Sequence, residues 1–115
     1  MKRVAVILIM ILTAVGIFFL TAGSSDSDRQ EGLRSLRSGD FRVAAVHLEN
    51  HLKKVPDDAS TRMLLADTYR EHKRYDEAIG HYQLLIGSPD HRDTALRTIS
   101  AIAIMQKSTM SRKTA

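Results

Sequence analysis

Two histidines lie four residues apart, a spacing that suggests a metal site. His47 and His51 would project from one side of a helix, where two imidazoles can bind the same metal ion. A metal site needs a third or fourth ligand, and Glu49 would point about 200° around the helix from His47. We therefore expect two partly exposed surface histidines, no metal site and no cofactor.

Two acidic pairs, Asp57-Asp58 and Asp76-Glu77, are the candidates for acid–base catalysis. Each pair lies where a run with helical periodicity begins, and acidic side chains there stabilise the helix dipole. The sequence also has no cysteine. It contains no GxSxG, no HExxH and no phosphate-binding glycine loop. These observations predict a protein that is not an enzyme.

The net charge of +4 is concentrated at the two ends of the sequence. Lys2 and Arg3 lie near the start, Lys107, Arg112 and Lys113 lie near the end, and the residues between them are close to neutral with mixed signs. No basic face and no array of base-stacking aromatic residues appears. The sequence therefore predicts no binding of nucleic acid.

Helical periodicity places most of the remaining residues on short amphipathic helices. The predicted helices cover about 29–38, 41–55, 59–71, 75–86 and 89–105. Between the first two, Gly39 can adopt the left-handed conformation that ends a helix and Asp40 can cap the next one. His72-Lys73-Arg74 lies at the equivalent turn of the next helix pair, with less favourable residues for a turn.

Small and aromatic residues recur at one fixed spacing, which we call the repeat spacing. The matched pairs are Gly32 with Ala66, Ser35 with Tyr69, Phe41 with Tyr75, Ala44 with Ala78 and Leu48 with Tyr82. Small residues let two helices approach to the lower end of the usual ~8–10 Å separation. A period of about 34 residues with this order of residue types is typical of helical hairpins of the tetratricopeptide kind.

The segments 39–45 and 73–79 resemble the opening of the second helix in the tetratricopeptide repeat family, and Pro56 and Pro89 lie near its closing proline. An aromatic residue is often found early in the first helix of the family, where this sequence has Asp28 and Arg62. The resemblance covers about residues 26–90. It implies an all-α fold in which two helical hairpins and a closing helix form a short solenoid over residues 29–105.

An uncharged run from Val4 to Ala22 precedes the repeats. As a helix it would cover about 28 Å, close to the ~30 Å hydrocarbon core of a bilayer. We therefore expect an N-terminal transmembrane helix over 4–22 that acts as a signal anchor. A cleaved signal peptide is the alternative, because the segment 20–24 offers a loose small-x-small cleavage site.

The charges on either side of this run predict its orientation. Lys2 and Arg3 precede it, whereas Asp26 and Asp28 are the first charges after it. The positive-inside rule places residues 1–3 in the cytoplasm and the rest beyond the membrane. We expect a single-pass protein of a bacterial inner membrane, with a flexible linker over 23–28 and a periplasmic domain. Residues 106–115 are expected to be a disordered basic tail.

The family resemblance also implies a partner-binding groove lined by the first helix of each hairpin and by the closing helix. Its predicted residues are Arg29, Leu33, Leu36, Arg37, Met63, Asp67, Arg70, Glu71, Arg97 and Ala101. Part of the closing helix is apolar on nearly all sides and is a second candidate surface. Its predicted contact residues are Ile99, Ile102, Ile104 and Met105.

Two repeats bury little surface, so self-association or docking to another subunit would stabilise the domain. We expect a non-catalytic protein–protein interaction module that serves as an accessory or structural subunit of a membrane protein complex. Its partners would be other subunits of that complex. The alternative is a membrane-tethered adaptor or an assembly and quality-control factor, which would bind exported proteins transiently.

Overall fold

The computed structural model describes the backbone of residues 2–114 and the side chains of residues 2–15 and 26–113. Every regular element among these residues is an α-helix. The helices are α1 (Lys2–Arg37), α2 (Phe41–Lys54), α3 (Ala59–Glu71), α4 (Tyr75–Leu85) and α5 (Arg92–Thr114). They form two compact units: the first, Met1–Lys54, contains α1 and α2, and the second, Val55–Ala115, contains α3, α4 and α5.

Helices α2, α3 and α4 begin at the residues predicted from the sequence and end within one residue of the predicted ends. Capping explains two of these starts. The Asp40 carboxylate accepts a hydrogen bond from the Val43 backbone N–H at 3.3 Å. The Asp58 carboxylate accepts one from the Thr61 backbone N–H at 3.1 Å and another from the Thr61 hydroxyl at 2.7 Å. Each cap satisfies a backbone donor that the helix itself leaves unpaired.

The turns inside the two hairpins have the same backbone geometry. Gly39 has a φ of 82° and Lys73, its counterpart at the repeat spacing, has a φ of 61°. The backbone N–H of Asp40 donates to the Ser35 carbonyl and that of Arg74 donates to the Tyr69 carbonyl, both at 2.9 Å. This is the Schellman arrangement that ends a helix with one left-handed residue. The prediction of equivalent turns is confirmed.

The first helix differs from the prediction. It is one continuous helix from Lys2 to Arg37, so the segment 23–28 is helical where a linker was expected. Within the described residues, no helix has a stretch long and apolar enough to cross a membrane. The transmembrane helix predicted over 4–22 is therefore wrong, and so is the predicted single-pass location in an inner membrane. The described apolar side chains run from Val4 to Val15, which is only about 18 Å of helix, and the side chains of 16–22 lie outside those described.

Helix α5 also differs from the prediction. It begins at Arg92 rather than Pro89, after a turn in which the Arg92 backbone N–H donates to the Ser88 carbonyl at 2.9 Å. It then continues to Thr114. Residues 106–114 are therefore helical, whereas the sequence suggested disorder from residue 106.

Residue pairs that match at the repeat spacing lie where the helices of each unit approach one another. In the first unit Gly32 lies so close to α2 that a Cβ on it would be 2.8 Å from the Leu48 side chain. In the second, Ala66 and Tyr82 occupy the equivalent places and are fully buried. Helix α5 packs on α4 and buries Ala95 and Ile102. The small residues thus set the close approach of the helices in both hairpins.

Candidate protein-interaction surfaces

A polar contact joins α1 to α2 at the place where the family often has an aromatic residue. The Lys54 ammonium donates to one Asp28 carboxylate oxygen at 2.7 Å, and Nδ1 of His47 lies 3.3 Å from the other. These two hydrogen bonds, that from Lys54 first, hold the pKa of Asp28 below its usual range. The contact joins α1 to α2 one residue before Arg29, the first of the predicted groove residues.

The second unit makes the corresponding contact with different chemistry. Arg62 and His81 are the counterparts of Asp28 and His47 at the repeat spacing, and Nη1 of Arg62 is 3.3 Å from Nδ1 of His81. The His81 ring also stacks on Tyr69, with 5.8 Å between the ring centroids. Sequence reasoning missed both polar pairs, although the two histidines match at the repeat spacing, a signal that could have revealed them.

The first unit places two of the four predicted groove residues of α1 along a polar cleft. Leu33 and Arg37 line this cleft of about 410 Å³ together with Gln30, Glu31 and Arg34. Leu33 is half-buried and Arg37 is exposed. The other two predicted residues of this unit, Arg29 and Leu36, are half-buried and lie outside the cleft lining. The cleft can therefore offer guanidinium donors beside one apolar side chain.

In the second unit the predicted groove residues of α3 are partly engaged within the hairpin. Asp67 accepts a hydrogen bond from the Tyr82 hydroxyl at 2.5 Å and lies 3.4 Å from the Arg70 guanidinium. Burial, and then the contact with Asp67, raises the pKa of Tyr82 above its usual range. Met63 is half-buried and Glu71 is exposed. Asp67 thus supports the hairpin, while Arg70 and Glu71 remain accessible.

Helix α5 carries the other predicted contact residues, with very different exposure. Ile102 is 1 % exposed because it packs inside the second unit, whereas Ile104 is 69 % exposed and Met105 is 53 % exposed. Ile99 is half-buried. Arg97 and Ala101, the predicted groove residues of this helix, are exposed. The structure thus leaves Ile104 and Met105 as the large apolar groups of this set that a partner can reach.

A cleft of about 390 Å³ lies beside this part of α5. Its lining consists of Tyr75, Met105, Gln106, Thr109, Met110 and Lys113. Sequence reasoning identified only Met105, because the residues after it were expected to be disordered. A second, smaller cleft of about 230 Å³ lies near the start of α3, where Arg62 donates to the Pro56 carbonyl at 2.8 Å.

The two histidines that suggested a metal site do different things. His47 contacts Asp28, and its side chain is 31 % exposed. His51 is 2 % exposed, so the expectation that it lies on the surface is wrong. It occupies the position that Leu85 fills in the second hairpin, which explains its burial. Among the described residues, no three His, Cys, Asp or Glu side chains come together as a set of metal ligands.

The two units define an α-helical repeat protein in which positions that match at the repeat spacing build equivalent hairpins. The family model of the tetratricopeptide repeat matches residues 29–92, which is more than half of the chain. The chain belongs to the tetratricopeptide repeat family. Domains of this family mediate protein–protein interaction and are typically non-catalytic. Searches of curated proteins and of solved structures found no match.

Proposed function

We propose that this chain is a non-catalytic protein–protein interaction module that is held permanently in a larger protein assembly as an accessory subunit. The observation that carries the proposal is the apolar surface on the C-terminal half of α5. Met105 and Met110 are exposed there and line a cleft together with Tyr75. Contiguous apolar side chains that are exposed to solvent mark interaction surfaces.

The chemistry of this surface favours a lasting contact over a transient one. Thioether side chains adapt their shape to a partner, and the aromatic ring of Tyr75 adds apolar area with a polar tip. Lys113 at the rim adds a positive charge. An interface with an apolar centre and a polar rim keeps its affinity when salt screens the charges.

The test is an affinity purification of the full-length tagged protein, washed with 1 M salt and quantified by mass spectrometry. We expect a small set of proteins in fixed stoichiometry that survives the wash. Met105→Asp should remove this set, because it places a charge in the centre of the surface. Thr94→Asp, on an exposed position of the same helix, is the matched control and should retain it. Loss of all partners from the wild-type protein in salt would contradict the proposal.

A second candidate function rests on the polar cleft of α1. Arg34 and Arg37 line that cleft, and guanidinium groups suit the carboxylates of an extended acidic segment. This arrangement supports an adaptor that binds its clients transiently. Such clients would be substoichiometric, would be lost in the salt wash and would be weakened by Arg37→Glu, whereas Met105→Asp would leave them bound.

A further inference from the structure

The three helices α1, α3 and α5 share a repeat register, but in the part of the chain that the structure describes only α1 and α3 have a partner helix on the equivalent face. In α3 this face contacts α4 through Arg62 and Tyr69, which both meet His81, with the fully buried Ala66 between them. In α1 the same positions are Asp28, Gly32 and Ser35. Asp28 contacts His47, Gly32 lies against Leu48, and Ser35 is 6 % exposed.

The same positions fall on α5 at Leu96, Ser100 and Ala103, which we call the helix seat. All three are exposed, and Leu96 is 46 % exposed. The residue types suit a helix partner, because Ser100 keeps the small side chain of Gly32 and Ala66 and Ala103 is small as well. The face by which α5 packs on α4, with Ala95 and Ile102 buried, lies about 100° further around the helix. The helix seat is therefore a separate face.

The described residues that follow the seat, up to Thr114, continue α5 and do not fold back onto it. In the two hairpins the left-handed residues Gly39 and Lys73 turn the chain back onto the first helix. Lys107 holds the equivalent position one repeat after Lys73, and there α5 continues as an unbroken helix to Thr114. No third hairpin forms at this point, so the seat stays open in the described residues.

From this geometry we propose that the helix seat binds an amphipathic helix of another polypeptide, which completes a third hairpin across the two chains. The incoming helix runs antiparallel to α5, as α4 does to α3 through their short turn. It places a large apolar residue over Ser100, as Leu48 lies against Gly32 in the first hairpin.

Charge complementarity specifies the first turn of that helix. In an antiparallel arrangement its N-terminus lies beside Lys107. From residue 106 onward the chain also carries Arg112 and Lys113 and has no acidic residue. Lys107 projects from the same side of α5 as Ser100. Acidic side chains in the first turn would meet its ammonium group and would also complement the helix dipole. Helix α4 shows the pattern, with Asp76 and Glu77 in its first turn.

This inference goes beyond the assembly proposed above, because Met105 points about 140° away from Ser100 on the same helix. Failure of one surface leaves the other intact: Met105→Asp tests the assembly, and substitutions at Ser100 test the seat.

The probe is a synthetic peptide with the sequence of residues 74–87 of this chain, which is a second helix of the repeat with an acidic first turn. A hydrocarbon staple between positions 80 and 84 keeps it helical, and both positions are exposed in α4, so the contact face is unchanged. The peptide is titrated into the ¹⁵N-labelled full-length protein, and amide chemical shifts are recorded.

We expect saturable shifts that are largest from Leu96 to Lys107. Ser100→Arg should weaken binding at least tenfold, whereas Thr94→Arg, an exposed control on the same helix, should change it less than twofold. A peptide with Asp76→Lys and Glu77→Lys should bind several-fold more weakly at low salt.

Three results would overturn the proposal. The first is the absence of any chemical-shift change at millimolar peptide. The second is binding that Ser100→Arg leaves unchanged, or chemical-shift changes that spread through α3 because the peptide displaces α4. The third is a dimer in sedimentation experiments on the protein alone that Ser100→Arg dissociates, because the seat would then be occupied by a second copy of this chain.

Discussion

The two hairpins have the same backbone design but different side-chain chemistry. Both use a left-handed residue at the turn, and both bury a small residue where the helices approach most closely. At the polar cross-helix contact, however, the first hairpin pairs a histidine with Asp28 and the second pairs one with Arg62. At the central position an apolar Leu48 corresponds to Tyr82, whose hydroxyl needs Asp67 as an acceptor.

This difference separates what the repeat requires from what it tolerates. The close approach of two backbones depends on the size of one residue, so the position of Gly32 admits few substitutes. The turn tolerates more, because Gly39 in one hairpin corresponds to Lys73 in the other. A cross-helix pair at the edge of a hairpin needs only complementary partners, and these can be acid with histidine or arginine with histidine. Changes at the first kind of position should therefore have larger effects than changes at the second.

The largest effect is expected at the fully buried alanines of the second helices, Ala44 and Ala78. Ala78→Arg should destabilise the second unit by about 3 kcal/mol or more, because it overpacks the contact and buries an unpaired charge. Ala44→Arg should do the same to the first unit. Thermal melting by circular dichroism gives the size of the effect, and hydrogen exchange shows which unit loses protection. An unchanged melting curve would mean that the alignment of the repeats is wrong.

The next effect compares two glycines that both lie inside helices. A Cβ on Gly32 would meet the buried Leu48 at 2.8 Å, whereas a Cβ on Gly80 would meet nothing within 4 Å. Gly32→Ala should therefore cost about 1–2 kcal/mol despite the better helix propensity of alanine. Gly80→Ala is the control and should gain about 0.5–1 kcal/mol. Chemical denaturation measures both, and an equal gain from the two changes would contradict the close approach.

The dependence of stability on alkaline pH should distinguish Tyr82 from Leu48. Because the pKa of Tyr82 is raised above its ordinary 10.0 in the folded protein, its contribution is present below pH 10 and is lost as the pH rises further. Tyr82→Phe should cost about 1 kcal/mol at neutral pH through the lost hydrogen bond and should remove this alkaline loss from the second unit. If the stability of the variant still fell above pH 10 as it does in the wild-type protein, this assignment would be contradicted.

The acid side of the pH curve should depend on Asp28. Its pKa is lowered from 3.8 in the folded protein, so its contribution is present above that pH and is lost as the pH falls below it. Asp28→Asn should reduce the loss of stability that the first unit shows at acid pH. It should cost about 0.2–1 kcal/mol of stability at neutral pH. Denaturation at pH 3 and pH 7 checks the sign, and a larger loss at pH 3 than at pH 7 would contradict it.

The smallest effect is expected at the turns. Lys73 holds a left-handed conformation that glycine adopts freely, so Lys73→Gly should gain about 0.5 kcal/mol after the entropy of glycine is counted. The reverse change, Gly39→Lys, should lose a similar amount. Both are measured by urea denaturation. If Lys73→Gly proved destabilising, the two turns would not be equivalent.

Local patterns in the sequence were sufficient to predict the hairpins. The bounds of α2, α3 and α4 follow from capping residues and turns, and the pairing of helices follows from the small and aromatic residues that recur at the repeat spacing. These features act over a few residues or repeat along the sequence, so they can be recognised without coordinates.

The two long helices were not predictable in the same way. Helix α1 runs through the serine-rich segment 23–28, and α5 runs through a basic segment that lacks large apolar residues other than Met110. Both segments have composition typical of linkers, and helix propensity alone is a weak guide there. The cleft beside Tyr75 depends on the second of these helices, so the sequence could not indicate it.

The central claim is that α1 and α3 each cover one face with a partner helix, whereas no described helix covers the equivalent face of α5. A NOESY spectrum of the full-length protein tests it directly. We predict cross-peaks between Gly32 and the Leu48 methyl groups and between the Tyr69 and His81 rings, and none from Ser100 or Ala103 to residues outside α5. Absence of either cross-peak, or a contact from Ser100 to another helix of the chain, would contradict the claim.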